Sequence, residues 1–243
     1  MAATRTTWLR RLWLAAAAFV ALIVGLEVYT RWPAEINAPV IDIPPTAAEA
    51  VLLFHGSYGA MEPTLIALEQ QLRERVRSRP NISVQRYVWS PWSDTMYRAA
   101  ARSAAVGVSL GASLASNAGL RSVHLIAHSA GAYLLDPLCE ALRAARTADL
   151  PPLTVRMTFL DPIGFRGVVD LGWGSRQFGR CADRAEAYIN TDDSAPATNR
   201  ELRHARTIDV TAAPQRAKYD GGGHRWPVQY YLEAIESGSV DAF

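Results

Sequence analysis

The chain has 243 residues, of which 49% are hydrophobic and 20% are charged. This balance is typical of a folded globular protein and excludes an intrinsically disordered one. Lys and Arg total 25 against 23 Asp and Glu, and the basic residues are scattered among the acidic ones. The charge pattern therefore gives no reason to expect a nucleic-acid-binding surface.

The N-terminus predicts a membrane segment. A basic flank, residues 1–11, precedes an unbroken apolar run from Leu12 to Leu26. A helix over residues 12–29 reaches about the minimum length that spans a bilayer, and aromatic residues near both ends suit the membrane interface. No small-x-small cleavage site follows closely, which favours an uncleaved signal anchor over a cleaved signal peptide. The positive flank then predicts a single-pass protein of the cytoplasmic membrane with its body on the extracytoplasmic side.

The remaining chain predicts one folded domain, residues 50–243, after a proline-containing extended linker, residues 30–49. Short apolar runs alternate with helical spacing, which is typical of a mostly parallel sheet covered by helices on both faces. The predicted strands are 51–54, 84–89, 123–126, 155–160, 186–190 and 207–210, and the predicted helices are 65–77, 97–114, one that follows Ser129, and 230–235.

The segment Ala127-His128-Ser129-Ala130-Gly131 lies between the third predicted strand and a helix. A serine on such a tight turn has strained backbone geometry, and small residues two before and two after it make room for the neighbouring strand and helix. The same turn directs the Ala130 N–H towards the position of a developing oxyanion. The pattern predicts Ser129 as a nucleophile, although small-residue patterns also arise by chance in alanine-rich chains.

A second turn, His55-Gly56-Ser57-Tyr58-Gly59, ends the first predicted strand. Its Ser57 N–H is the predicted second donor of an oxyanion hole, and His55 itself is expected to be structural. Both turns follow parallel strands at their carboxyl ends, which is where open α/β sheets place their active sites.

A serine hydroxyl needs a base, and histidine has the suitable pKa. His224 is favoured among the five histidines because it follows the last predicted strand, behind three glycines that let its loop reach back over the sheet. The others have different expected roles: His128 points away from the serine, His55 belongs to the oxyanion turn, His124 lies in a strand, and His204 lies at the surface before a strand.

The base in turn needs an acid that precedes it in the chain. Asp161 follows the fourth predicted strand, whereas Asp192 and Asp193 follow the fifth. Asp161 also suits a helix cap or turn before Pro162. The spacing alone leaves the choice among these three aspartates open.

Three blocks resemble the pancreatic-lipase-like α/β-hydrolases and occur in that family's order: residues 97–107, residues 123–132, and Phe159-Leu160-Asp161-Pro162. The C-terminal part, with Gly223-His224-Arg225-Trp226-Pro227, is more similar to bacterial lipase and esterase relatives. The resemblance implies an α/β-hydrolase fold, and it implies Asp161 as the triad acid.

These residues predict a serine hydrolase that cleaves small-molecule or lipid esters through an acyl-serine. Ser129 is the nucleophile, His224 the base and Asp161 the acid, and no metal, organic cofactor or nucleic-acid partner is expected. Two alternatives stay open. One is an acyltransferase that uses the same triad on an envelope component, and the other is a non-catalytic binding protein of the same fold.

Residues 164–181 form a glycine-containing segment with three aromatic side chains, Phe165, Trp173 and Phe178, that are candidates for exposure. The segment is interpreted either as a lid or rim over the site or as a long surface connection. Cys139 and Cys181 can pair in an oxidising compartment, but the sequence leaves their pairing open.

Overall fold

The computed structural model describes residues 2–195 and 197–243. Its centre is one six-stranded sheet in the order β2-β1-β3-β4-β5-β6, and all five pairings between these strands are parallel. The strands are β1 (Glu49–Phe54), β2 (Ile82–Tyr87), β3 (Ser122–His128), β4 (Thr154–Leu160), β5 (Arg184–Ile189) and β6 (Arg206–Asp209). The predicted α/β class with a parallel sheet is confirmed.

Helices cover the sheet on both faces, and each helix predicted from the sequence is present. The α-helices are α1 (Ala2–Arg31), α2 (Pro63–Arg75), α3 (Met96–Ala115), α4 (Ala132–Ala145), α5 (Trp173–Gln177) and α6 (Trp226–Ser237). Of these, the short helix α5 was not predicted. The last begins at Trp226 rather than at residue 230, because Pro227 suits the first turn of a helix. It ends at Ser237 and is capped by Gly238, whose φ of 75° allows the left-handed conformation.

The core lies in two layers, one on each face of the sheet. In β1, Leu52 and Phe54 belong to the layer shared with α3 and α4, and Val51 and Leu53 belong to the layer shared with α2 and α6. Successive side chains of a strand point to opposite faces, so a strand covered on both faces is apolar throughout. This is why residues 50–54 of β1 form a continuous apolar run in the sequence.

The N-terminal helix extends beyond the predicted segment at both ends. Its portion Thr7–Arg31 has 25 residues and includes an 18-residue stretch with a mean hydropathy of 2.1, which makes it long and apolar enough to cross a membrane, as a signal sequence can also be. Near its C-terminal end the Glu27 carboxylate accepts hydrogen bonds from the N–H groups of Val168 and Val169, at 2.7 and 2.9 Å. The helix therefore contacts the segment that connects β4 to β5.

The predicted linker is extended, and it packs against the domain. Four of its residues are buried in the core layer beside α3, namely Ala38, Ile41, Ile43 and Ala47. The Tyr87 hydroxyl at the end of β2 donates a hydrogen bond to the Pro39 carbonyl, at 2.9 Å. The stretch between α1 and β1 therefore contributes to the core as well as joining two elements.

Candidate active site

Ser129 lies at the carboxyl end of β3, where a single 3₁₀ turn, Ser129–Gly131, leads into α4. The strand–turn–helix context predicted for it is present. Its φ of 57° lies in the left-handed region, which is uncommon for a residue other than glycine. A Cβ added to Gly131 would lie 2.7 Å from the Phe54 carbonyl oxygen, so the end of β1 leaves no room for a side chain there.

The turn after β1 lies directly against the serine. A Cβ added to Gly56 would lie 2.6 Å from the Ser129 Cβ and 2.9 Å from its Oγ. The two turns that were predicted to carry the oxyanion donors therefore meet at the nucleophile. Strand pairing brings them together, because β1 and β3 are neighbours in register and end at the same edge of the sheet.

The three residues predicted to be catalytic form a continuous hydrogen-bonded line. His224 Nε2 lies 2.8 Å from Ser129 Oγ, and His224 Nδ1 lies 2.7 Å from Asp161 Oδ2. Asp161 is fully buried directly after β4, and its other carboxylate oxygen accepts the Asn190 N–H at 3.1 Å. A carboxylate accepts hydrogen bonds only, so Nδ1 carries the proton and Nε2 is free to accept the serine proton.

A second carboxylate reaches the same ring nitrogen. Asp193 Oδ2 lies 3.0 Å from His224 Nδ1, and Thr198 Oγ1 lies 3.1 Å from that oxygen. Asp192 instead accepts a hydrogen bond from the Asn190 side chain at 2.6 Å and faces Arg216 at 3.4 Å. The structure thus brings two of the three candidate acids to the base.

No protein-family model and no curated protein matches this chain. What the site can do is therefore argued from its own geometry and electrostatics. The arrangement has a serine hydroxyl hydrogen-bonded to an imidazole, and two buried carboxylates on the far side of that ring. These are the components that nucleophilic catalysis by serine requires.

The two carboxylates set the charge state of the base. Burial alone would lower the pKa of His224, but its hydrogen bonds and charge interactions with Asp161 and Asp193 raise the pKa to about 9. Burial raises the pKa of Asp161 to about 6, against the opposing effect of His224. For Asp193 burial acts in the same upward direction, but hydrogen bonds with His224, Asp161 and the Ala195 backbone lower the pKa below its ordinary value. The site therefore favours a protonated imidazole, the species formed when a base takes the serine proton.

His128 supports the base from its other side, a role that the sequence analysis missed. Its Nε2 lies 3.0 Å from the His224 carbonyl oxygen, and the two rings are 4.8 Å apart. Burial, reinforced by the charge of His224, lowers the pKa of His128 to about 3, so the ring is neutral. The carbonyl can only accept, which places the proton of His128 on Nε2. His128 thus holds the backbone of His224.

Asn190 is a further residue that the sequence analysis did not identify. It is buried at the end of β5, and its side-chain amide donates to the Gly223 carbonyl at 3.0 Å while its backbone N–H donates to Asp161. One residue therefore connects the acid to the loop of the base. The sequence indicates it only weakly, by a polar residue directly after the apolar end of β5.

The remaining histidines have structural positions. His55 Nε2 accepts the Trp89 N–H at 3.2 Å, and burial lowers the pKa of His55. His124 lies 2.9 Å from the Ala242 carbonyl oxygen and 2.8 Å from Thr158 Oγ1. His204 is exposed in the turn before β6. Among residues 2–195 and 197–243, His224 is the histidine whose ring forms a hydrogen bond with Ser129.

The predicted oxyanion donors are on the two turns that meet at Ser129. Ala130 lies in the first turn of a helical stretch, where backbone N–H groups have no helical partner. In the part of the chain that the structure describes, the Ser57 N–H makes no backbone hydrogen bond, and the buried Ser57 Oγ has no partner. Both N–H groups therefore remain free to bind a substrate oxygen.

The expected exposure of the aromatic residues in segment 164–181 is wrong. Phe165 and Phe178 are 4% and 2% exposed, and Trp173 is partly buried. They surround Tyr133 of α4, with ring centres 6.4, 5.5 and 5.8 Å from its ring. Aromatic packing on α4 fills the space under the segment, and its exposed apolar residues are Val169 and Leu171.

The end of this segment is fixed to α4. A disulfide joins Cys139 to Cys181, with their Cα atoms 6.0 Å apart. The Asp136 carboxylate accepts the N–H groups of Gly179 and Cys181, at 2.8 and 2.9 Å. The pairing that the sequence left open is therefore present, beside a buried carboxylate that the sequence analysis did not single out.

A cavity of about 840 Å³ lies between the end of α1, helices α3 and α4, and segment 164–181. Its lining includes Trp32, Tyr133 and Phe178 but none of Ser129, His224 and Asp161. It is thus separate from the candidate active site.

Asp161, Asp193 and His224 also offer three potential ligand atoms within 4.8 Å of one another. Their proximity is explained by hydrogen bonds from the protonated Nδ1, and a metal ion would need that proton removed. We assign no metal to them.

Proposed function

We propose that the protein is a serine hydrolase of the α/β-hydrolase fold that cleaves carboxylic esters. The observation that carries the proposal is the line from Ser129 Oγ through His224 to Asp161, with hydrogen-bond distances of 2.8 and 2.7 Å. The nucleophile also has a φ of 57°, a strained geometry that persists only where the surrounding structure enforces it.

The proposed reaction begins when Ser129 Oγ attacks the ester carbonyl carbon. His224 Nε2 takes the hydroxyl proton as the new bond forms, and the carbonyl oxygen becomes an oxyanion bound by the Ser57 and Ala130 N–H groups. Collapse of this intermediate breaks the bond to the alcohol, which leaves with the proton from Nε2. An acyl-serine remains, and water repeats the sequence to release the acid.

The order of the elements supports the proposed fold family. The nucleophile follows β3, the acid follows β4 and the base follows β6, all at the carboxyl edge of one parallel sheet. This is the chain order of serine, acid and histidine that α/β-hydrolases use. The resemblance of the serine and Leu-Asp-Pro blocks to pancreatic-lipase-like enzymes points the same way.

We further propose that α1 anchors the enzyme in the cytoplasmic membrane with the catalytic domain outside. The disulfide between Cys139 and Cys181 supports this location, because structural disulfides persist in oxidising compartments. This location and the triad suit a small-molecule or lipid ester as the substrate.

Fluorophosphonate labelling of the full chain in detergent tests the proposal. We expect labelling of the wild type, loss of labelling in Ser129→Ala, and a decrease of at least about 10³-fold in ester hydrolysis by Ser129→Ala and by His224→Ala. Ser78→Ala is the matched control, because Ser78 is exposed after α2 and lies outside the site.

The same experiment separates the alternatives. Folded wild type that takes no label would support the non-catalytic binding protein. Labelling that depends on Ser129, with transfer of the acyl group to an added alcohol or amine in preference to water, would support the acyltransferase.

A further inference from the structure

The base has two buried carboxylates where a triad needs one. His224 Nδ1 has a single proton, and it lies 2.7 Å from Asp161 Oδ2 and 3.0 Å from Asp193 Oδ2. The side chains of Asp161 and Asp193 are 0% and 5% exposed, so neither charge is screened by water. Two like charges this close and this dry repel each other unless a cation or proton lies between them.

We infer that Asp193 is a second acid of the site, which positions His224 together with Asp161 and shares the stabilisation of its imidazolium. The inference rests on the proposed hydrolase function. When Nε2 takes the proton of Ser129, the positive ring faces both carboxylates through Nδ1. No bond to either aspartate forms or breaks, and the proton on Nδ1 stays in place.

The two aspartates are held by different parts of the chain. Asp161 follows β4 and accepts the Asn190 N–H at 3.1 Å. Asp193 lies in the connection after β5, where Thr198 Oγ1 is 3.1 Å from its Oδ2. Asn190 connects the two, because its carbonyl also accepts the Asp193 N–H at 3.3 Å. Each carboxylate nevertheless has a hydrogen-bond donor of its own besides the ring, so removal of one carboxylate leaves the other with a partner that holds it beside His224.

The charged groups around Asp161 and Asp193 are consistent with a shared role of the two carboxylates. Burial, together with the hydrogen bond to Asp193, raises the pKa of Asp161. For Asp193, hydrogen bonds with His224, Asp161 and the backbone outweigh burial and lower the pKa, so Asp193 stays ionised when Asp161 takes up a proton. The neutral His128 packs on the other side of His224, and Arg225 follows it in the chain. Arg216 faces Asp192 at 3.4 Å.

The test compares Asp161→Asn, Asp193→Asn and the double variant in the full chain. We expect each single variant to lower kcat/KM by about 10- to 100-fold and the double variant to lower it by about 10⁴-fold, the loss that follows removal of the acid from a triad with one acid. Asp220→Asn is the matched control, since Asp220 is an exposed carboxylate in the same loop as His224. It should stay within about 2-fold of the wild type, as surface substitutions usually do.

The pH profile distinguishes a charge effect from a structural one. Activity requires neutral His224, so the acid limb of kcat/KM follows the pKa of His224. Loss of the Asp193 charge lowers that pKa and should move the acid limb to lower pH by about one unit. A purely structural role would lower kcat and leave the limb where it is.

Two results would overturn the inference: Asp193→Asn that behaves as Asp220→Asn in both rate and acid limb, or Asp161→Asn that is already as inactive as the double variant. If Asp193→Asn does not fold, Thr198→Val removes the hydroxyl beside Asp193 and should move the limb in the same direction by less. Wild type without Ser129-dependent labelling would instead contradict the proposed function itself.

Discussion

The turns at the ends of the central strands differ from the long connections after Asp161 in how they are held. The turns, residues 55–59 and 129–131, lie against each other with no room for a Cβ on Gly56. The long connections, residues 161–183, 190–205 and 210–225, are held by single side chains such as Asn190 and Asp136 and by the disulfide. Ser129 is therefore positioned by local backbone packing, whereas His224 is positioned by contacts between residues far apart in sequence.

Among changes that leave the side chains of Ser129, His224, Asp161 and Asp193 in place, the largest effect should come from a change within the central turns. Gly56→Ala places a methyl carbon 2.6 Å from Ser129 Cβ and 2.9 Å from its Oγ, which is closer than side chains pack, so the serine must move. We expect kcat/KM and the fluorophosphonate labelling rate to fall by about 10³-fold, because displacement of a reacting group by about 1 Å already costs about 10²-fold.

Gly25→Ala is the control for that substitution, because nothing lies within 4 Å of a Cβ added there. An unchanged labelling rate in Gly56→Ala would show that the central turns are less rigid than their packing indicates.

The next largest effect concerns the first long connection. The double variant Cys139→Ala/Cys181→Ala removes a crosslink between residues 42 positions apart, and we expect it to lower the free energy of unfolding by about 3 kcal/mol. Thermal unfolding measures this, and wild type under reducing agent should unfold at the same temperature as the variant. Equal stability with and without the crosslink would mean that α4 packing alone holds the connection.

A smaller loss of stability should follow removal of the carboxylate beside the disulfide. Asp136→Ala leaves the N–H groups of Gly179 and Cys181 without their acceptors, and we expect a loss of about 2 kcal/mol in unfolding free energy. Asp136→Asn keeps one acceptor oxygen and should lose about half as much. Asp149→Ala, at an exposed site, serves as the reference, and a loss no larger than that of Asp149→Ala would contradict the prediction.

The smallest effect should come from the hydrogen bond between His128, at the end of β3, and the loop that contains His224. His128→Ala removes the donor to the His224 carbonyl, and we expect kcat/KM to fall by about 10-fold, corresponding to one hydrogen bond. His128→Gln retains an N–H donor and should recover part of the rate. If both variants match the wild type, the glycine-rich loop holds His224 without help from β3.

The same contrast explains what the sequence could predict. Ser129 and Asp161 were predictable because each directly follows a strand, and parallel strands end at one edge. His224 required a comparison of all five histidines, since it lies well beyond the end of β6. Spacing alone left the choice among Asp161, Asp192 and Asp193 open, and in the structure both Asp161 and Asp193 reach the ring.

Other features depend on contacts that no local pattern contains. Asp192 and Asp193 are neighbours, yet one faces Arg216 and the other faces His224, and only the path of the connection decides which. Phe165 and Phe178 are buried because Tyr133, far from both in sequence, packs against them. The pairing of Cys139 with Cys181 likewise depends on where α4 lies relative to the segment.

The contact between Glu27 and the turn at Val168 and Val169 bears on how the protein can be prepared. A fragment that starts after α1 would lack this carboxylate, and water would have to replace it at both N–H groups. Thr30, buried at the same junction, would be lost as well. A fragment without α1 and the full chain would then differ in local order at this turn, so measurements made on the fragment would describe a different surface from that of the full chain.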